Sequence, residues 1–330
     1  MAVTLRNMPA HFKLTLIGIV AFILLIQLFL CWRWSREPSL YLGSSALGEV
    51  QGTTGYVTVS SLIGTIDWLI EKPGGYLSND IYLPSRWLDN MPNFEFGVLV
   101  QSRDLARVLR DNYSRSQLEL IDQPELAVAE PALNYANDRW IIPSTQSEFR
   151  KAQDALIEYR SQLVSLENNE VPFYASTDNL RAWLAVVERR LGDLSQSLSA
   201  SVGQTWINTG LSGESDAEAP VPRESLRLDK TPWTQLDDVF FQARGTAWAL
   251  LQFMAAAQVD FDGPLTDRNA ALNLQQVIRE LEGALDPIRS PIILNGGGYG
   301  FFANHSLVLA SYISRAHSAV IDLRELLAQG

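Results

Sequence analysis

The stretch that decides the architecture of this chain is LTLIGIVAFILLIQLFLCW, residues 14–32. It begins at Leu14 and ends at Trp32, and Gln27 is its one strongly polar residue. A helix of about 19 residues at about 1.5 Å per residue is roughly 28 Å long, close to the roughly 30 Å hydrocarbon core of a bilayer. Basic residues flank both ends, and tryptophans stand where an interfacial aromatic belt would lie. The sequence therefore predicts a transmembrane helix whose partner is the lipid bilayer.

This apolar stretch is longer than that of a secretory signal, which usually has about 7–15 residues. No pair of small residues suited to cleavage follows it closely. Arg6, Lys13 and the terminal amine precede the stretch, and Arg33 and Arg36 follow it, so positive charge slightly favours a cytoplasmic N-terminus. We therefore expect an uncleaved anchor, with the rest of the chain on the other side of the membrane.

Composition narrows the classes of function. The chain has 330 residues, a net charge of −11, 47% hydrophobic residues and 10% aromatic residues. This apolar share can build a packed core, whereas the negative charge argues against nucleic acid as a partner. The single cysteine, Cys31, lies inside the apolar stretch, which excludes disulfides and a cysteine-based zinc site from the rest of the chain. We expect no metal and no cofactor.

The sequence divides into an anchor and one large domain. We assign residues 1–13 to a short tail, 14–34 to the anchor, 35–55 to a Gly/Ser-rich flexible tether and 56–330 to a single domain. Within the domain, residues 208–231 contain GLSGESDAEAPVP, which is rich in glycine, proline and acidic residues and predicts a mobile loop.

The first half of the domain gives mixed signals. Tyr56–Glu71 has helical spacing of its apolar residues, and the sequence KPGG that follows would end a helix. Residues 76–92 predict an ordered loop with one short helical turn. Residues 94–113 predict one helix, although 94–100 alone could begin a strand. Residues 122–144, with three prolines, predict irregular structure.

The second half is clearer, because five segments repeat apolar residues in alternating steps of three and four. They begin at Phe149, Leu180, Leu236, Ala270 and Leu309. Such spacing keeps one seam facing a neighbouring helix, so the fold class is all-α, an elongated antiparallel helical bundle with long irregular loops behind the transmembrane helix.

Local signals refine three of these helices. Asp178, Thr266 and Asn304 are the predicted N-caps of the second, fourth and fifth segments. The second helix is expected to run from residue 178 to about 207. The third is rich in alanine and glycine, which let a neighbouring backbone approach closely, so we place it at the centre of the bundle.

A glycine-rich stretch before the last helix is the candidate ligand site. Consecutive backbone amides ahead of a helix N-terminus can cradle an anion, which makes Gly296, Gly297, Gly298, Gly300 and His305 candidate anion- or ligand-binding residues.

The same stretch has two other interpretations. It formally matches the dinucleotide fingerprint, but the strand–helix–strand unit that this fingerprint needs is missing. It could instead be a tight inter-helix turn that packs Tyr299, Phe301 and Phe302 into the end of the bundle, with His305 as a hydrogen-bonding residue at the helix start.

No catalytic motif stands out elsewhere. The chain contains neither the HExxH metalloprotease motif nor the GxSxG nucleophile elbow. Carboxylates such as Glu95 could form an acid pair, but such pairs meet in space rather than in sequence. The domain tryptophans are expected to anchor the core: Trp68, Trp87, Trp140, Trp183, Trp206, Trp233 and Trp248.

Several stretches carry a family resemblance. They are KPGGYLSND (72–80), DNMPNFEFGVLVQSRDLARVLR (89–110), AEPALNY (129–135), RLGDLSQSLSASVGQ (190–204), ARGTAWALLQ (243–252) and SPIILNGGGYGFFANHSLVLASYISRA (290–316). Together they make the chain resemble the bacterial family known as domain of unknown function 2333. The resemblance implies proteobacterial proteins with one N-terminal membrane anchor, and it implies no activity, cofactor or catalytic residue.

With the resemblance, these features predict a bacterial inner-membrane, single-pass protein whose C-terminal domain lies in the periplasm. The leading hypothesis is an envelope scaffold or protein-interaction module with protein partners in the envelope. One alternative is a cell-wall-active enzyme that uses buried carboxylates in the aromatic region between residues 76 and 110, Glu95 among them. Another is a ligand- or lipid-binding bundle with its site near residues 296–305.

Overall fold

A computed structural model describes residues 10–41, 53–81, 83–114, 123–165, 172–206, 227–290, 292–297 and 301–329. The fold is all-α, as predicted. Among these residues, the strands are limited to Gln204–Trp206 and Arg227–Asp229, which pair antiparallel. The predicted mobile loop at 208–231 therefore ends in a short strand, and its residues 208–226 lie outside the described ranges.

Ten α-helices account for most of the described chain. They are α1 (Ala10–Trp34), α2 (Tyr56–Glu71), α3 (Asn90–Val108), α4 (Pro124–Leu133), α5 (Thr145–Val164), α6 (Thr177–Ser199), α7 (Leu236–Asp260), α8 (Asp262–Asp267), α9 (Ala271–Ala284) and α10 (His305–Ala328). A π-helical turn, Leu109–Tyr113, continues α3, so the predicted single helix over residues 94–113 is confirmed and the strand alternative is wrong.

Helix α7 lies at the centre of the bundle, as its small residues predicted. It packs against α2, α3 and α9, and α10 packs between α6 and α9. The closest approach is to α3, where a side-chain carbon at Gly245 would lie 2.0 Å from the Phe94 carbonyl oxygen and one at Gly97 would lie 2.2 Å from the Gln242 carbonyl oxygen. Two glycines therefore set how close these helices come.

Ion pairs and hydrogen bonds fix the direction of α5 relative to α2. Arg150, near the start of α5, donates to Glu71 at the end of α2 (2.6 Å). Arg160, further along α5, donates to the Ser60 hydroxyl near the start of α2 (3.1 Å). The two helices are therefore antiparallel.

The bundle has two ends, which we name by their position relative to α1. At the proximal end, α1 reaches the domain, because the Trp34 ring lies against Gly74, just after α2. At the distal end, the Asp260 carboxylate at the end of α7 accepts the Thr58 N–H at the start of α2 (2.6 Å). Helix α7 thus runs from the proximal end to the distal end.

Three local predictions are wrong. Helix α6 ends at Ser199 rather than near residue 207, because a 3₁₀ turn and Gly203 with φ of 86° follow it. Its N-cap is Ser176, whose hydroxyl accepts the Asn179 N–H, and not Asp178. Thr266 lies inside α8 and caps nothing. The Asn304 cap is confirmed, since its side chain accepts the Leu307 N–H (2.9 Å).

Helix α4 is absent from the prediction, which treated residues 122–144 as irregular. Pro124 stands in the first turn, where its missing N–H costs nothing, and so it marks a helix start rather than a break. Pro131 lies within the helix, which nevertheless buries Leu126, Ala129 and Leu133. Packing against α5 therefore outweighs the cost of that proline.

Candidate functional site

The chain that leaves α1 is bound to the face of the bundle. We call residues 35–41 the α1 linker. Its Glu37 carboxylate accepts two hydrogen bonds from the Arg244 guanidinium of α7, at 2.7 and 2.5 Å. One and two turns further along α7, the Trp248 indole N–H donates to the Ser39 carbonyl (2.8 Å) and the Gln252 amide donates to the Leu40 carbonyl (2.6 Å). The linker therefore runs along α7.

Arg244 is the centre of this attachment. It is 3% exposed, and it also donates to the carbonyl oxygens of Ala284, Leu285 and Asp286 at distances of 3.0–3.2 Å. Those carbonyls end α9 and would otherwise lack partners. One buried cation thus joins three segments: the α1 linker, α7 and the end of α9.

Tyr41 adds a contact at the end of the linker, where its hydroxyl donates to Glu282 of α9 (2.6 Å). Partial burial and the neighbouring Glu282 carboxylate raise the pKa of Tyr41 to about 12. The start of the predicted flexible tether, residues 35–55, is therefore attached to the domain, and its residues 42–52 lie outside the described ranges.

Glu95, the carboxylate singled out for the enzymatic alternative, is fully buried. Its two oxygens accept hydrogen bonds from the N–H groups of Leu77 (2.8 Å) and Ser78 (2.9 Å) and from the Ser78 hydroxyl (2.6 Å). The carboxylate also forms an ion pair with the Lys72 ammonium (2.5 Å). The ammonium of Lys72 also donates to the Gly75 carbonyl. These contacts hold the loop after α2 on α3, and they leave this carboxylate with no solvent-facing surface for a substrate.

The glycine-rich candidate site forms a narrow hairpin in the part that the structure describes. The Gly296 N–H donates to the Ala303 carbonyl (3.0 Å), and its own carbonyl accepts from the Asn304 side chain (2.6 Å). A side-chain carbon at Gly296 would lie 2.2 Å from the Phe302 carbonyl oxygen, which explains the glycine. The amide of Gly296 is thus engaged inside the hairpin.

The other candidate glycines add little to a cradle. Gly297 has open space where a side chain would lie, and Gly298 and Gly300 lie outside the described residues. The expectation that the aromatic residues pack into the bundle end is wrong for Phe301 and Phe302, which are 98% and 67% exposed.

His305 sits at the start of α10 and is tied to the chain before it. Its Nδ1 accepts the Leu294 N–H (3.0 Å), and its backbone N–H donates to the Leu294 carbonyl (2.8 Å). The ring also borders a cavity of about 310 Å³ that Phe240, Val308 and Tyr312 help to line. His305 therefore has a structural role in the hairpin and is placed beside a mainly apolar cavity.

A larger open cavity of about 940 Å³ lies at the proximal end. Ser35 and Glu37 of the α1 linker, Asp237 at the start of α7, Trp233 and Ile292 all contribute to its wall. The neighbouring Asp238 is partly buried, and this burial together with the nearby carboxylates of Asp237 and Asp89 raises its pKa. The cavity combines negative charge with exposed apolar side chains.

Exposed apolar residues concentrate at this same end. Among the described residues outside α1, the large apolar side chains that are at least half exposed are, apart from Leu272, all on proximal loops or the first turn of α10. They are Leu83, Trp87, Trp140, Ile141, Ile142, Trp233, Ile292, Phe301, Phe302 and Val308. The core-anchor prediction is therefore wrong for Trp87, Trp140 and Trp233, whereas Trp183 and Trp248 are buried.

Helix α1 stands apart from the bundle along its apolar length. The segment His11–Trp34 is long and apolar enough to cross a membrane, and none of its most apolar window is buried against the domain. Leu14 and Trp32, the predicted limits of the span, are both exposed. Across the described ranges, no group of three or more His, Cys, Asp or Glu side chains could hold a metal ion.

Sequence reasoning missed the α1 linker attachment, although one signal for it was present. Arg244 is a lone charged residue within ARGTAWALLQ, a stretch that is otherwise suited to a helix core. A charge in such a place needs a buried partner. Its partner, Glu37, lies 207 residues away and could not be identified from the sequence alone.

The comparisons with known proteins give a family and nothing narrower. A family model described as "Uncharacterized protein conserved in bacteria (DUF2333)" matches residues 8–330. Neither the curated proteins nor the solved structures include a match to this chain.

Proposed function

This chain belongs to the DUF2333 family of uncharacterised proteins conserved in bacteria, and from that premise we propose that it is a membrane-anchored scaffold of the cell envelope. In this proposal α1 spans the inner membrane, and the helical domain lies in the periplasm and binds envelope proteins. The observation that carries the proposal is the attachment of the α1 linker to α7 and α9 through Arg244.

A scaffold has to present its partners in a defined position. A domain on a flexible Gly/Ser tether samples many orientations, whereas hydrogen bonds from α7 hold the chain within seven residues of Trp34, the last residue of α1. The place where the domain joins the anchor is then fixed. The contacts of Glu95 with Lys72 and with two backbone N–H groups give this carboxylate a structural role, which favours the scaffold over the enzymatic alternative.

Topology is the first test. C-terminal fusions to alkaline phosphatase and to a fluorescent protein are compared in a bacterial host. Phosphatase activity with a dark fluorophore supports the periplasmic location. Fluorescence without phosphatase activity contradicts the envelope scaffold.

The second test asks whether partner binding depends on the attachment. Cross-linked envelope proteins are identified by mass spectrometry for the full-length protein, for Glu37→Ala and for Glu71→Ala, which removes an exposed ion pair with Arg150. We expect Glu37→Ala to lose specific cross-links and Glu71→Ala to keep them. Identical cross-links in all three proteins, or release of peptidoglycan fragments by the purified protein, would contradict the proposal.

The cavity beside His305 supports a second candidate function, the binding of a small apolar ligand. Its volume of about 310 Å³ falls at the small end of ligand-binding pockets, which have roughly 300–1,000 Å³. Native mass spectrometry of the full-length protein would detect a bound molecule. Val308→Trp, which fills the mouth of the cavity, should abolish that binding, and a clean apo mass for the wild type would exclude this function.

A further inference from the structure

We propose that the proximal end of the bundle is a membrane-seating face, which rests on the lipid bilayer that α1 crosses. The proposal depends on α1 being a membrane anchor, as proposed above. Four separate parts of the chain contribute exposed apolar side chains to this face, represented by Trp87, Ile142, Trp233 and Phe301. Their exposed fractions reach 96% at Ile142 and 98% at Phe301.

The location of these loops relative to α1 supports the bilayer as the occupant. Trp34, the last residue of α1, packs on Gly74, and the loop that follows Gly74 is joined to the loop of Ile142 by a hydrogen bond from the Asn79 side chain to the Arg139 carbonyl (2.9 Å). The loop after Gly74 and the loop that exposes Ile142 therefore lie next to the point where α1 meets the domain.

The second group of loops lies beside the first residues after α1. Ser35 and Glu37 share a cavity wall with Trp233, Ile292 and Asn295. The hairpin that exposes Phe301 and Phe302 is closed by the pairing of Asn295 with Asn304. The residues that follow α1 and the base of the hairpin that carries these aromatic rings therefore line the same cavity at the proximal end.

The chemistry of the exposed residues suits the membrane interface. Tryptophan is enriched at the level of the lipid headgroups, and the transfer of phenylalanine and isoleucine side chains out of water lowers their free energy. By contrast, the most exposed apolar residues at the distal end are Leu272 at 75% and Val259 at 49%, and neither is aromatic. Exposed apolar residues scattered over a surface need no explanation, but a concentration at one end marks an interaction site.

The charge of the domain limits how this face binds. The chain carries a net charge of −11, and Asp89, Asp237 and Asp238 lie at the proximal end. Exposed Arg86, Arg139 and Arg289 lie on the same proximal loops, so this end carries charges of both signs, and we do not expect net attraction to anionic lipid to hold the face on the membrane. Insertion of aromatic and aliphatic side chains requires no anionic lipid, so we expect the face to seat on a purely zwitterionic bilayer.

The test uses the full-length protein in nanodiscs of phosphatidylcholine that carries a nitroxide quencher near the headgroup. An environment-sensitive fluorophore is attached to the native Cys31 in one sample. In a Cys31→Ser background it is attached to Phe301→Cys, to Ile142→Cys or to Leu272→Cys, three highly exposed positions where the label should not disturb folding. Aqueous iodide is the second quencher.

We expect the label at Cys31 to be quenched by the nitroxide lipid, which reports that α1 is inserted. The labels at Phe301→Cys and Ile142→Cys should lose fluorescence in the same way and be protected from iodide, whereas Leu272→Cys should respond to iodide alone. If Cys31 is quenched by lipid but Phe301→Cys and Ile142→Cys respond only to iodide, the anchor stands and the seating face is refuted.

Two further outcomes are informative. If neither quencher reaches Phe301→Cys and Ile142→Cys, protein covers the face, and the bilayer is not its occupant. If the nitroxide lipid fails to quench Cys31, α1 is not inserted, and both the membrane-anchored scaffold and the seating face are refuted.

Discussion

Loss of Arg244 should release the α1 linker from the domain. In the native protein, detachment of the linker takes Glu37 away from a guanidinium that is 3% exposed and leaves a buried charge with carbonyl partners alone. Breaking a buried ion pair costs about 3–5 kcal/mol, and because the Glu37 side chain is 25% exposed we expect a value near the lower limit, about 3 kcal/mol. In Arg244→Ala no buried charge loses its partner, so detachment of the α1 linker no longer carries this cost.

Trypsin measures that opening directly. Arg36 is exposed and lies immediately before Glu37, so cleavage after it separates the domain from α1. When opening is fast relative to cleavage, the rate follows the population of the open form. A change of about 3 kcal/mol then corresponds to roughly a hundred-fold faster cleavage after Arg36, measured as the appearance of the shortened domain on a denaturing gel.

Matched variants distinguish loss of this contact from a general loss of folding. Glu37→Gln keeps the shape of the side chain but loses its charge, so we expect an intermediate acceleration that reflects about 1–2 kcal/mol. Arg279→Ala removes an exposed arginine from α9 and should leave the rate unchanged. Equal cleavage rates for wild type, Arg244→Ala and Arg279→Ala, with unchanged helical circular dichroism, would show that Arg244 does not hold the α1 linker on the domain.

Three further predictions concern the stability of the domain and of its contact with the α1 linker. Glu95→Gln should lower the free energy of unfolding by about 3–5 kcal/mol in urea titrations, because it leaves Lys72 buried without a counter-charge. The double variant Lys72→Met with Glu95→Gln should recover much of that loss, and additive losses from the two substitutions would contradict this prediction. Gly245→Ala should cost about 1–3 kcal/mol or more through overpacking against α3, whereas Gly263→Ala, which meets no atom within 4 Å, should be neutral in the same titration. The pKa of Tyr41 is raised from 10.0 to about 12, so between these pH values the folded state binds more protons than the unfolded state, and stability should fall as pH rises from 10 to 12. A difference titration of wild type against Tyr41→Phe should show a midpoint near 12 for the tyrosine, and a midpoint near 10 would contradict this prediction.

The bundle could be predicted because its information is local. The apolar positions of the last segment, from Leu309 through Ile313 to Leu327, are all buried in α10. Asn304 caps that helix as its residue type and position indicated. Where prediction failed, a tertiary contact outweighed a local rule: α4 keeps Pro131 because its apolar side packs on α5.

The proximal end could not be predicted in the same way. A hydrophobic pattern treats Phe301 and Trp233 as core residues, because aromatic residues are more often buried than exposed. Phe301 is carried by a hairpin that the hydrogen bonds of Gly296 and Asn304 close, and such contacts between separated residues leave no periodic pattern in the sequence. The joining of Glu37 to Arg244 spans 207 residues, which is beyond the reach of any periodicity in one sequence.

The two proposals together define how the domain would stand on the membrane. A single helix with an attached linker fixes the place where the domain meets the bilayer, but it leaves the tilt of the domain open. Loops from four parts of the chain, spread across the proximal end, would remove that freedom by touching the bilayer at several points. Helix α7 has 25 residues and runs from this end to the other, so the distal end would lie roughly 37 Å away from the seating face. An acidic domain held upright in this way keeps its charged sides away from anionic headgroups and in water, where partner proteins can reach them.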